Sequence, residues 1–172
     1  DLHGVHRRQR QMCIRDMHKT GKPCKLVYDR DDDMRITGKR HDFITSYKVG
    51  FDENGLIQAL RFQHDMRCGM SMDLSSAIAE RALMHSENSY HIQNIEIVAN
   101  LYKTNTPSNT AFRGFGGPQG MLAMERVIDH IAHFLKLDPL IIRKRNFYAD
   151  HQTRNRQVQR TPYGQIVNDC IC

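Results

Sequence analysis

Strict alternation marks the middle of the chain. Phe43, Tyr47, Val49 and Phe51 share one parity with Ser46 and Lys48 between them, as in a strand with one buried face. Asp52-Glu53-Asn54-Gly55 follows as a turn, with Asn-Gly able to adopt positive φ, and Leu56, Leu60 and Phe62 continue on one face of a return strand. Ile95, Ile97, Ala99 and Leu101 alternate again and predict a further strand. Upstream, the short apolar run at 24–28 predicts a strand ending in an acidic turn at 29–33.

Helical spacing takes over elsewhere. Ser75 or Ser76 can cap a helix with Ile78, Ala79, Ala82 and Leu83 on one face, ending near Asn88. The longest helix starts at Pro118, directly after Gly117. Its apolar positions Met121, Met124, Ile128, Ile131 and Leu135 recur every three or four residues, and Val127 and Phe134 widen the stripe. Asp138-Pro139 starts another helix that stops around Asn146; the chain is then polar to Arg160, with a turn at 161–164. Strands and helices mix without regular βαβ alternation, which predicts an α+β fold of mixed or antiparallel strands with packed helices.

Charge changes this picture at one end only. The 172 residues carry a net charge of +6, but Arg7, Arg8, Arg10, Arg15 and Lys19 against Asp1 and Asp16 account for half of it. The remainder is too evenly mixed, and Trp is absent, for a nucleic-acid surface with interleaved aromatics. No stretch approaches the roughly 20 apolar residues of a membrane span. The five Cys form no CxxC pair, which fits reduced cytosolic thiols and predicts a cytoplasmic location. Residues 1–16 are polar, aperiodic and rich in Arg and Gln, and read as disordered.

Three motifs bear on chemistry. Asp29, Asp31 and Asp33 occupy the first, third and fifth places of a calcium loop, but Met34 and Arg40 stand where Gly and Glu are needed. A solvated turn paired to Arg35, Lys39 and Arg40 accounts for the acids better. The ten His include no HxxxH or HExxH pair, so His130 and His133 are assigned to the surface of their helix. Four Gly fall within residues 114–120, in Phe112-Arg113-Gly114-Phe115-Gly116-Gly117-Pro118-Gln119-Gly120, immediately before the long helix. Such a loop lets backbone N–H groups approach an anion at the helix N-terminus. Gln119 stands where a dinucleotide fingerprint would need Gly. In extended backbone Arg113 and Phe115 would project to one side, offering a cation and an aromatic face to a flat polar ligand. The residues alone leave two readings open: a ligand site, or a structural strand-to-helix turn.

The stretch Thr110-Ala111-Phe112-Arg113-Gly114-Phe115-Gly116-Gly117-Pro118-Gln119-Gly120 resembles the molybdenum-site segment of the xanthine dehydrogenase family, within the molybdenum hydroxylases. In the same order, Asp29 to His41, Tyr47-Lys48-Val49-Gly50-Phe51, Glu80-Arg81-Ala82, Lys103-Thr104-Asn105 and Arg145-Asn146-Phe147-Tyr148 resemble that family too, most of all its bacterial molybdenum-binding subunit. The likeness runs from about His18 to Gln165.

What the resemblance implies is specific. Residues 18–172 would be part of a molybdopterin-binding domain in an enzyme that hydroxylates hypoxanthine and xanthine toward urate. Electrons would pass through two 2Fe–2S clusters and FAD to NAD, these groups lying elsewhere in an oligomer of heteromeric units. Arg113 corresponds to the Arg beside molybdenum, with Phe112, Gly114, Gly116 and Gly117 on the cofactor side. Phe115 corresponds to the aromatic that stacks on the purine, and Arg81 to the Arg that hydrogen-bonds it; Glu80 becomes a structural partner. The general-base Glu would lie beyond Cys172, so the chain alone is expected to be inactive. Residues 1–17 match nothing in the family, and Met12 to Asp16 look like one frame of a sequencing-library adapter, so this segment is expected to be foreign or disordered. Two alternatives remain, an aldehyde oxidase-like hydroxylase and a basic, non-enzymatic binding module. A non-basic residue in place of Arg81 would mark the first.

Overall fold

The computed structural model describes residues 13–148 together with the backbone of 156–160 and 166–170. Residues 13–20 are helical, where the sequence offered no period, and 24–28 form no strand. The acidic run is not a turn either. It opens helix α1 (Arg30–Ile36), because Asp29 accepts the Asp32 N–H as N-cap and three Asp sit in the first turn, where the helix dipole favours them. Lys39 does pair with Asp33, at 3.9 Å.

The predicted hairpin is present as β1 (Phe43–Phe51) and β2 (Ile57–Gly69), antiparallel, with Tyr47 opposite Phe62 and Val49 opposite Leu60. Asp52 builds the turn: its side chain accepts the Asn54 and Leu56 N–H groups, and Gly55 takes φ +81°. Leu56 is therefore an exposed turn residue, and Ile57 is the first buried one. Helix α2 (Ser75–His85) leads to β3 (Asn94–Lys103), which lies parallel to β2, so the sheet order is β1-β2-β3 and the class is mixed.

Helix α3 (Gly117–Leu135) and helix α4 (Pro139–Asn146), the latter capped by the Asp138 carboxylate, follow as the spacing predicts. Phe134 departs from the expected stripe: it is 74% exposed and meets the Phe51 ring edge-to-face. Two further strands pair antiparallel, β4 (Arg156–Arg160), within the stretch expected only to be polar, and β5 (Ile166–Cys170), for which the sequence made no prediction; the turn at 161–164 and residues 1–12 lie outside the described residues. No helix among the described residues is long and apolar enough to cross a membrane.

The core forms where α2 and α3 lie on the sheet. Phe62, Met66 and Ile97 from the strands meet Ile78 and Leu83 of α2 and Met124, Ile128 and Ile131 of α3. Two polar clusters, one buried and one partly buried, border this core. His64 bonds Thr45 and Ser86 with its two ring nitrogens, and burial lowers its pKa to about 4 against the pull of Asp65, which keeps it neutral. Glu125 accepts from Asn88, Tyr90 and Arg143, and Tyr90 is raised first by burial and then by that hydrogen bond.

Asn146 ties the end of α4 to the β1–β2 turn. Its Oδ1 accepts the Ile57 N–H at 2.9 Å, and its Nδ2 donates to the Gly55 and Ile142 carbonyls at 2.9 Å. Asn146→Ala strands at least two buried backbone groups, each costing about 1–3 kcal/mol. A loss of about 2–4 kcal/mol, read from the urea midpoint at unchanged m-value, is the expected result.

Candidate functional site

The segment 104–110 brings the glycine loop to the sheet. Thr104 donates to Gly69, Met70 to Thr106, Asn109 to Cys68 and Thr110 to Lys39, all backbone bonds of 2.9–3.0 Å. Glycine is required on the facing segments, because a Cβ at Gly69, at the end of β2, or at Gly38, in the loop before β1, would lie 2.5 or 2.3 Å from the Pro107 or Ser108 carbonyl oxygen.

Beyond Ala111 the chain is not extended. Gly114, Phe115 and Gly116 take φ +98°, +52° and +97°, and Phe115 donates back to the Phe112 carbonyl at 2.8 Å. The extended geometry expected for Arg113 and Phe115 is thus replaced by a left-handed turn, which two glycines and the first turn of α3 make possible. Arg113 and Gly114 stand exposed at its apex, with Phe112 (54% exposed) before them. Phe115 is half-buried and packs partly against the core.

The other glycines have a different task. A Cβ at Gly116 would lie 2.1 Å from the Ile78 carbonyl oxygen, and one at Gly120 would lie 2.4 Å from that of Ala82. Gly116, Gly117 and Gly120 are buried against α2, so the motif that reads as a ligand cradle is in large part a close helix contact. That contact sets the helix carrying Arg81 against the loop carrying Arg113 and Phe115. Arg81 itself is exposed, and its carbonyl accepts from His85 Nδ1 at 2.9 Å. Ser75 does not cap α2 through its side chain; Leu74 is the N-cap, and Ser75 Oγ shares a 2.7 Å hydrogen bond with His41 Nε2 instead.

Sequence reasoning missed a group beneath the loop. Arg40, His41 and Gln119 line a crease with Phe112 and Phe115. Arg40 Nη2 donates to the Arg113 carbonyl at 2.7 Å, and its guanidinium carbon lies 4.2 Å from the Phe112 ring centroid. Arg40 therefore serves the loop, not the acidic run to which it was assigned. Gln119 Nε2 donates to the His41 carbonyl at 3.1 Å. His41 is 2% exposed, and burial lowers its pKa against the charges of Asp42 and Asp73. Arg40 Nη1, His41 Nδ1 and Gln119 Oε1 are buried without a hydrogen-bond partner among the described residues. No sequence period reports such contacts, since Arg40 and Arg113 are 73 positions apart.

No group of three or more His, Cys, Asp or Glu able to hold a metal ion occurs among the described residues. A cofactor that brings its own metal ligands needs no such group. The loop suits one: among the described residues the Arg113 and Gly114 amides make no backbone hydrogen bond, an exposed guanidinium stands beside them, and polar atoms without a partner there lie below. An anionic, oxygen-rich group fits these residues.

Comparison with known proteins agrees. Xanthine dehydrogenase of Drosophila subobscura is 44% identical over 156 residues, which is 90% of this chain and 12% of that protein. Xanthine dehydrogenase/oxidase of Rattus norvegicus is 49% identical over 156 residues, again 90% of this chain and 12% of the relative. The structure of aldehyde oxidoreductase from Desulfovibrio gigas superposes with a TM-score of 0.72 at 30% identity, covering 78% of this chain and 15% of that one. The chain thus spans about an eighth of the length of the dehydrogenases it matches. The family model of the molybdopterin cofactor-binding domain matches residues 11–147, and the chain belongs to that family.

Proposed function

We propose that this chain is part of the molybdopterin-binding domain of a xanthine dehydrogenase-type enzyme that hydroxylates hypoxanthine and xanthine. What supports the reading is the close seating of α2, the helix of Arg81, on the glycine loop of Arg113 and Phe115 at Gly116 and Gly120. Phe112, Arg113 and Gly114 would face the cofactor, with Arg113 on the molybdenum side, while Gly116 and Gly117, buried against α2, would set the backbone from which they project. When bound, the molybdenum–molybdopterin group supplies the two-electron oxidation of a purine carbon. Arg81 holds the purine through a charge-assisted hydrogen bond to an exocyclic carbonyl oxygen, and Phe115 stacks on the purine ring. The general base belongs to another segment of the complete enzyme. So do the 2Fe–2S and FAD groups that carry electrons to NAD, within a cytoplasmic assembly of heteromeric units.

Phe115→Ala in the complete enzyme tests the substrate side. Stacking is worth about 0.5–1.5 kcal/mol beyond area burial, so xanthine affinity should fall by up to about tenfold with molybdenum content unchanged. Loss of cofactor or of folding would assign Phe115 wholly to the core, where part of its ring already packs. The similarity to an aldehyde oxidoreductase structure supports a second reading, oxidation of an aldehyde, and Arg81 separates the two.

A further inference from the structure

The glycine loop has an unfavourable backbone to maintain. Three successive residues hold positive φ, and the middle one is Phe115. A bulky residue in that region persists only where its surroundings over-determine it. Inside the loop, the Phe115 N–H to Phe112 carbonyl bond (2.8 Å) and the Gly117 N–H to Gly114 carbonyl bond (3.1 Å) set the curvature. Neither fastens the Arg113 carbonyl at the apex.

We infer that Arg40 is the positioning residue of this loop, fixing where Arg113 and Phe115 stand without touching substrate itself. Arg40 Nη2 takes the Arg113 carbonyl at 2.7 Å while the guanidinium plane covers Phe112. One side chain thereby holds two neighbouring points of the loop. Arg40 is itself held from both sides. The Lys39 carbonyl accepts the Thr110 N–H at 3.0 Å, and the His41 carbonyl accepts from Gln119 at 3.1 Å, so the backbone flanking Arg40 is joined to both ends of the loop. The His41 ring, bonded to Ser75, ties the same backbone to α2. Arg40 pairs with no carboxylate among the described residues, and its Nη1 has no partner there, so its interactions are spent on the loop. A lysine could supply the charge but neither the planar face nor the fork.

The inference deepens the proposed function and rests on it for its consequence, namely that a loosened loop misplaces the groups facing cofactor and purine. Hydrogen exchange and kinetics on the complete enzyme separate the two. In Arg40→Met, the hydrogen-bonded loop amides of Phe115 and Gly117 should exchange about 10- to 100-fold faster, the range for loss of a hydrogen bond to a charged group. Amides of residues 127–132 in α3 should stay unchanged, and molybdenum should be retained. kcat/KM for xanthine should fall at least tenfold, and Arg40→Lys should lie between Met and wild type in both measurements. Unchanged exchange at Phe115 and Gly117 overturns the inference, as does acceleration spread equally through α3, which would make Arg40 a general stabiliser. Local acceleration with unchanged kcat/KM upholds Arg40 as the anchor of the loop and removes the loop from the active site. Should Arg40→Met fail to fold, Arg40→Lys carries the same comparison.

Discussion

Gly116→Ala is expected to prevent the complete enzyme from retaining its cofactor. The new Cβ would lie 2.1 Å from the Ile78 carbonyl oxygen and 3.2 Å from the Ala82 N, both backbone atoms of α2 that cannot rotate away. Helices α2 and α3 would have to separate, and overpacking of this kind costs about 1–3 kcal/mol. A side chain at φ +97° adds about 1–2 kcal/mol more. Together these are a large share of a typical stability of about 5–15 kcal/mol. The measurements are the melting temperature and bound molybdenum, with Gly50→Ala as control, because a Cβ at Gly50 meets nothing within 4 Å. Equal melting temperatures and metal contents for the two variants would mean that α2 does not rest on the loop, and the site would lose its scaffold.

Arg81→Met should change which substrate the complete enzyme prefers. A purine oxygen against Arg81 gains a charge-assisted hydrogen bond, and that bond strengthens as negative charge grows on the ring during attack. Such a bond is worth about 1.5–3 kcal/mol, so kcat/KM for xanthine should fall at least about tenfold. A small aromatic aldehyde makes no such bond and should lose little. The ratio of the two kcat/KM values in wild type and variant is the measurement. An unchanged ratio would leave Arg81 as a charge on the surface of α2, and the aldehyde reading would gain.

The elements that local order controls were legible in the chain itself. Tyr47 and Val49 alternate because one face of β1 is half-buried against the core, and α3 shows its stripe because Met124, Ile128 and Ile131 all reach the core. The misreadings share a different cause. Asp31, Asp32 and Asp33 suggest a solvated turn until the cap at Asp29 and the helix dipole are weighed together. Ser75 looks like a cap, yet His41 offers its hydroxyl a buried partner 34 residues away. The site divides in the same way. Arg113, Phe115 and the glycines stand out in sequence as a motif, whereas Arg40, His41 and Gln119 matter through contacts that only the folded chain creates. Even the glycine motif was half understood, since close packing accounts for Gly116 and Gly120 as readily as ligand approach does.

The anchor at Asn146 also constrains how the domain is made. Synthesis delivers the first hairpin long before Asn146, and until then the Gly55 carbonyl and Ile57 N–H lack the partner that satisfies them in the finished fold. The separation is 91 and 89 residues, so the hairpin cannot be sealed vectorially, strand by strand, as the ribosome releases it. Its turn must wait, hydrated, for α4 to arrive. A nascent chain halted before residue 146 would therefore expose an open, partly apolar hairpin to chaperones, and the last turn of α4 acts as the latch that ends this exposure.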